Sequence, residues 1–263
     1  MAGFWQTVPS ALLALLMLAQ CSASDSPPDP APAKSRIQLM TSLPLVWGEG
    51  ASMKTVLSGG SEPAPVYRYW QGQYDIAAVD SLENLARENP DIVMLAQPRA
   101  MDPADLTDLD TWVRAGGAVI ILTDPDLAWP SELPLGDPRR PLVTGFLSPL
   151  LGYWGLELVA VGEDKAEIVD LQIGDSSFVT QGIGKLELIS GKAQPDVRCK
   201  LSAADFIARC SIGQGRATIV ADADLLNAAL WPESATLSPQ KSGAVRFVDS
   251  LMAEYVGDRD AGK

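Results

Sequence analysis

Acidic residues recur just beyond apolar runs that read as buried strands. Glu49 follows Ile37–Leu43, Asp124 and Asp126 follow AVIIL at Ala118–Leu122, and Asp222 and Asp224 follow ATIVA at Ala217–Ala221. Open parallel sheets bind ligands outside the carboxyl ends of their strands, so acids in those places can converge. Gathered carboxylates hold Mg²⁺ or Ca²⁺, or bind a cationic group. With Arg139 and Arg140 in the loop beyond Asp126, these five acids are the candidate ligand-binding residues. The same acids also suit loop turns and helix starts, where aspartate is favoured for local reasons. The sequence contains no histidine. That removes Ser-His-Asp and Cys-His catalysis, His-ligated zinc and the commonest general base. No catalytic residue, metal-ligand set or cofactor is assigned. Two functional readings stand: a non-catalytic binding or assembly protein, and a metal-dependent hydrolase or cation-binding protein that uses the strand-end acids.

The elements that must position these residues are legible in part. Ile92–Ala96 (IVMLA) and Ala118–Leu122 are continuous apolar runs, as expected of strands buried on both faces of a parallel sheet. Between them, Asp102-Pro103 opens a helix with an N-cap and a proline at its first position. Leu106, Leu109 and Val113 give that helix one apolar face, and Gly116-Gly117 ends it. Strand, helix and strand with short connections predict a right-handed crossover and parallel pairing. An amphipathic segment at Val66–Trp70 leads to a short strand at Tyr74–Ala78.

Residues 124–149 are rich in Pro, Gly and Asp and read as a long loop. A helix over Leu150–Trp154 stops at Gly155. Short strands then follow at Leu156–Ala160, Ala166–Leu171 and Lys185–Ile189, with a hairpin at Val197–Leu201 and Phe206–Ile212. They predict an antiparallel β layer, over about 156–212, inserted before the sheet resumes at Ala217–Ala221. Ser242–Tyr255 is the closing helix, within a domain over 36–256, and 257–263 is expected to be a disordered tail. Gly213-Gln214-Gly215-Arg216 precedes a strand instead of opening a helix, so it reads as a hairpin turn and not as a phosphate loop.

Net charge is −13, with no Lys/Arg cluster, which argues against nucleic acid as a partner. At the N-terminus, Ala11–Ala19 is apolar but too short for a comfortable membrane span of about 20 residues. It fits the apolar core of a signal peptide. Leu18-Ala19-Gln20-Cys21 resembles a bacterial lipobox, which makes Cys21 the candidate lipidation site and 1–21 the signal segment. Cleavage after Ala23 and an uncleaved anchor are the alternatives. The Pro/Ser/Asp-rich stretch 22–35 is an extended tether that spans roughly 40 Å at about 3.1 Å per residue. Pairing about a turn at Ser202–Asp205 puts Cys199 opposite Cys210. They form either a disulfide or two reduced, packed cysteines, and an oxidising compartment favours the disulfide. These features predict the periplasmic face of a bacterial membrane, lipid-anchored or free in the periplasm.

The order of segments carries a resemblance. Asp91-Ile92-Val93-Met94-Leu95 leads to Gln97-Pro98-Arg99, then LTDLDTWVRAGG (106–117), AVIILTDPD (118–126) and, late in the chain, GQGRATIVADADLL (213–226). Over roughly Ser35–Tyr255 this is similar to the periplasmic, glutamine-amidotransferase-like domain of ABC-type transport auxiliary proteins, a group that includes gliding-motility auxiliary proteins. The segment PLGDPRRP (134–141) with Leu147-Ser148-Pro149 resembles a subgroup of short proteobacterial versions with a signal segment. The resemblance implies a flavodoxin-like three-layer α/β fold with a mostly parallel sheet. It also implies transporter permease or ATPase subunits, or other envelope proteins, as partners. True amidotransferases carry a cysteine after the central strand. Thr123-Asp124-Pro125 stands in that place here, so the resemblance carries over no activity.

Overall fold

The computed structural model describes residues 1–3, 33–162 and 167–261. The expected signal segment from residue 4 onward, Cys21 and the tether up to residue 32 lie outside the described residues. Lys34–Lys263 is one compact unit.

That unit opens with β1 (Arg36–Thr41), α1 (Met53–Leu57), α2 (Pro65–Gln73), β2 (Asp75–Ala78), α3 (Leu85–Glu88), β3 (Ile92–Ala96), α4 (Pro103–Arg114) and β4 (Ala118–Leu122). It continues with α5 (Ser148–Tyr153), β5 (Leu156–Ala160), β6 (Ile168–Ile173), β7 (Ser176–Gln181), β8 (Gly184–Leu188), β9 (Val197–Ser202), β10 (Ile207–Ile212) and β11 (Gly215–Val220). Three short 3₁₀ turns, α6 (Glu233–Thr236) and α7 (Gly243–Ala261) complete it.

The central sheet has seven strands in the order β2-β1-β3-β4-β11-β10-β9. The first five pair in parallel. β3 and β4 are buried at every residue, which is why their sequences are unbroken apolar runs rather than alternating ones. α4 forms as its sequence dictates: the Asp102 side chain accepts from the Ala104 amide at 2.9 Å, Pro103 occupies the first turn, and Gly116 takes φ +114° beyond the end.

The antiparallel part divides differently from the expected single layer. β5–β8 and β6–β7 are separate two-stranded sheets, whereas the cysteine hairpin β9–β10 extends the central sheet beyond β11. The reason is the two-residue turn at Gly213-Gln214, which folds β11 directly back along β10. β11 also pairs in parallel with β4, so the hairpin becomes the sheet's far edge. The turn is docked tightly: a Cβ on Gly215 would lie 1.9 Å from the Val113 carbonyl oxygen and 2.4 Å from that of Gly117. Cys199 and Cys210 are directly opposed across β9 and β10 and are joined by a disulfide.

Two half-buried carboxylates pin helices onto this frame. Asp249 on α7 accepts from the Tyr69 hydroxyl (3.0 Å) and the Trp70 indole N–H (2.9 Å) on α2. Asp110 on α4 accepts from the Trp154 indole (2.8 Å) and from Arg114 Nε (2.7 Å), and Arg114 also pairs with Asp196 before β9. Trp154 is buried in the core. α7 continues past the expected Tyr255 to Ala261.

Candidate functional site: a buried aspartate triad beside a switch-point crevice

Register explains why two of the predicted acids meet. β4 and β11 are parallel neighbours, with Leu122 opposite Val220. Two residues further on, each strand delivers an aspartate, Asp124 from one and Asp222 from the other, at equivalent positions. The Thr123 amide donates to the Val220 carbonyl at 3.0 Å, which holds the two strand ends together up to that point. After Ala223 the chain enters a 3₁₀ turn at Asp224–Leu226. Its first residue closes the group: one oxygen from each of Asp124, Asp222 and Asp224 lies within 4.8 Å of the others. All three are fully buried.

Each carboxylate is anchored through one oxygen. Asp124 Oδ1 accepts from the Asp126 amide, Asp222 Oδ2 from the Thr180 hydroxyl on β7, and Asp224 Oδ2 from the Ala128 amide, each at 2.7 Å. The second oxygens, Asp124 Oδ2, Asp222 Oδ1 and Asp224 Oδ1, are buried without a hydrogen-bond partner. Gln97 fixes the backbone of Asp124. It accepts from the Asp124 amide at 2.8 Å and donates to the carbonyls of Asp124 (3.1 Å) and Leu142 (3.0 Å). To do so, Gln97 adopts φ +44° immediately after β3.

The electrostatics follow from this placement. Burial pushes Asp124 far above the ordinary carboxylate range, and the charge of Asp222 adds to the shift against the Asp126 amide. Burial likewise raises Asp222, opposed by the Thr180 hydroxyl and reinforced by the charge of Asp224. Asp224 is pushed up to about 6 by burial, against the Ala128 amide. Three such groups cannot all be ionised in a dry interior unless a cation joins them.

The other predicted residues bring no side-chain carboxylate or guanidinium into this group. Asp126 is half-buried and gives its amide to Asp124. Glu49 is exposed in the loop after β1. Arg140 Nη1 donates to the carbonyls of Ser131 and Leu133 and staples the long loop. Arg139 is ion-paired with Asp137 and donates to the Ala51 carbonyl.

Arg139 instead lines a crevice of about 450 Å³, with Thr41, Trp47, Met53 and Arg99 among its walls. A second cavity of about 510 Å³, with Asp102 and Asp105 in its walls, shares Thr41, Asp80 and Arg99 with it. Both lie at the carboxyl ends of β1 and β3, where the strand order reverses, and that is where such sheets take ligands. Arg99 was not a predicted site residue. Its one sequence signal is position, a cation just beyond the buried run IVMLA.

Residues 34–185 match the family described as ABC-type uncharacterized transport system. No curated protein matches the sequence. Among solved structures, an exo-β-1,4-mannosidase from Opitutaceae bacterium strain TAV5 is similar at 10% identity and TM-score 0.47, covering 83% of this chain and 36% of its own. This chain thus spans about a third of that enzyme's length. The mmIFT52 N-terminal domain is similar at 13% identity and TM-score 0.46, over 84% of this chain and 97% of its own. The cytoplasmic protein STM3548 from Salmonella typhimurium is similar at 11% identity and TM-score 0.44, over 83% and 98%. None of these likenesses assigns a function.

Proposed function

Because this chain belongs to the ABC-type uncharacterized transport system family, we propose that it is a non-catalytic binding or assembly protein serving an ABC-type transporter in the bacterial envelope. The family match is the observation that carries this reading. The strand order β2-β1-β3-β4-β11, all parallel, supports assigning the core to the flavodoxin-like class. Where an amidotransferase-like domain would carry its cysteine, this chain carries the buried Thr123 and Asp124.

The partner-facing surface in this reading is the switch-point crevice. Trp47 and Met53 line it and are 56% and 73% exposed, a large apolar area beside two arginines in a chain of net charge −13. Aromatic and arginine side chains are the usual anchors of protein interfaces. Lipidation at Cys21 and the tether at 22–35 would hold this domain near the membrane, within reach of a permease or its ATPase.

Affinity purification of the full chain from detergent-solubilised membranes tests the proposal. Recovery of an ABC permease or ATPase subunit is expected, with loss of most of it in the Trp47→Ala/Arg99→Glu double variant. Failure to recover any transporter subunit overturns the transporter role. Recovery undiminished by the double variant overturns the crevice as the docking surface.

A further inference from the structure

We propose that Asp124, Asp222 and Asp224 form a binding site for a single hard divalent cation, with Ca²⁺ as the best-fitting ion. The inference is independent of the transporter reading. It rests on three observations at the carboxyl ends of β4 and β11.

The first is distance. One oxygen from each carboxylate lies within 4.8 Å of the other two. Calcium takes oxygen ligands at about 2.3–2.6 Å, so opposite ligands around one ion stand about 4.6–5.2 Å apart and adjacent ones closer. Magnesium, at about 2.0–2.1 Å, takes opposite ligands only up to about 4.2 Å apart, whereas calcium accommodates the whole range up to 4.8 Å. The donor set is all oxygen and anionic, which suits hard cations and not zinc or copper.

The second is the state of the oxygens. Every carboxylate spends one oxygen on a protein donor, Asp126 N, Thr180 Oγ1 or Ala128 N. The remaining oxygens, Asp124 Oδ2, Asp222 Oδ1 and Asp224 Oδ1, are each buried and accept no well-formed hydrogen bond from the protein. Buried polar atoms are nearly always paired, so three orphaned oxygens on adjacent carboxylates point to a missing acceptor of their lone pairs. Anchoring each group by its other oxygen is the outer-shell arrangement that orients ligands in metal sites.

The third is charge. Among the described residues, no lysine or arginine ion-pairs with any of the three acids. The segment from Asp126 to Ala128 supplies no cation either and is tied to the triad by two amide donors.

The test is calorimetric titration of the full-length protein, stripped with chelator, with Ca²⁺, Mg²⁺ and Mn²⁺, alongside thermal melts. One saturable Ca²⁺ site is expected, with a raised melting temperature and weaker Mg²⁺ binding. Asp222→Asn and Asp224→Asn, each isosteric, are expected to weaken Ca²⁺ at least tenfold. Asp137→Asn, at an acid paired with Arg139 and outside the triad, is expected to leave binding unchanged. Absence of heat and of any melting shift with all three ions overturns the site. So does Ca²⁺ binding that survives unchanged in both triad variants, because the ion would then sit on surface acids. Melts of the variants in chelator establish that they fold, so their loss of binding is read on a native protein.

Discussion

In the chelator-stripped protein the triad makes stability depend on pH in a definite direction. A carboxylate whose folded pKa lies above its unfolded value holds a proton that the unfolded chain releases. Its contribution is therefore complete below about pH 4 and is lost as pH rises through the folded value. Asp224 moves from 3.8 to about 6, which at about 1.4 kcal/mol per pH unit corresponds to about 3 kcal/mol. Asp124 and Asp222 are raised for the same reason, burial, with neighbouring charge added. Asp124→Asn removes one titrating group while Gln97 keeps its grip on the backbone amide and carbonyl. Urea unfolding in chelator at about pH 5, 6.5 and 8 is expected to show wild-type stability falling with pH. The fall should be shallower in the variant, by up to about 1.4 kcal/mol per pH unit for the proton removed. At the alkaline end the variant should be the more stable protein. Parallel profiles for the two proteins would refute the reasoning, since they would mean that Asp124 does not titrate between its folded and unfolded states.

Three further outcomes follow from the packing. Asp249→Ala leaves the Trp70 indole and the Tyr69 hydroxyl without their acceptor, and chemical denaturation should show a loss of about 2–3 kcal/mol. Cys199→Ser with Cys210→Ser opens a cross-link between residues 11 apart. The chain-entropy model puts its contribution at about 3 kcal/mol, and the same loss should appear when the wild type is melted in reductant. Gly215→Ala drives a Cβ to 1.9 Å from the Val113 carbonyl oxygen. Displacing that backbone should cost about 3 kcal/mol or more, whereas Gly72→Ala, with open space around it on α2, should be neutral or mildly stabilising.

Buried parallel strands were the most legible feature, because burial on both faces leaves an unbroken apolar run. Ile92–Ala96 and Ala118–Leu122 have the bounds their sequences predict. The start of α4 was legible for a different reason, since Asp102-Pro103 is a local instruction that needs no tertiary context. The destination of the β9–β10 hairpin was not legible. Hairpin pairing is written in the turn, but whether the hairpin stacks as its own layer or extends a sheet depends on which neighbour β11 finds. The second strand of the β6–β7 sheet, Ser176–Gln181, was missed because SSFVTQ has little apolar alternation. Its Phe178 and Thr180 are buried by α7 and by Asp222, both distant in sequence.

The candidate site divides along the same line. Asp124 and Asp222 could be read as partners because AVIIL-Thr-Asp and ATIV-Ala-Asp place each acid at the same offset from a buried strand. Asp224 joined them only through the 3₁₀ turn that reverses the chain. Gln97 and Arg99 were invisible as site residues. Nothing local distinguishes a polar residue that clamps the neighbouring strand end from one that caps a loop.

The triad stands apart from how this chain treats two of its half-buried acids. Asp249 has both oxygens satisfied, by Trp70 and Tyr69. Asp110 has both satisfied as well, by Trp154 and Arg114, the second supplying a compensating charge. The fold therefore can furnish complete acceptor satisfaction where a carboxylate leaves water. It does so twice with side chains drawn from distant elements. At the triad the anchoring is just as deliberate on one side of each carboxylate, with three donors at 2.7 Å. On the other side it stops at the same point for all three. A random packing defect would leave one orphaned oxygen, with its neighbours compensating. Three neighbouring carboxylates, each half-satisfied, describe a shared deficit of charge compensation, which one cation, or the protons that replace it, corrects.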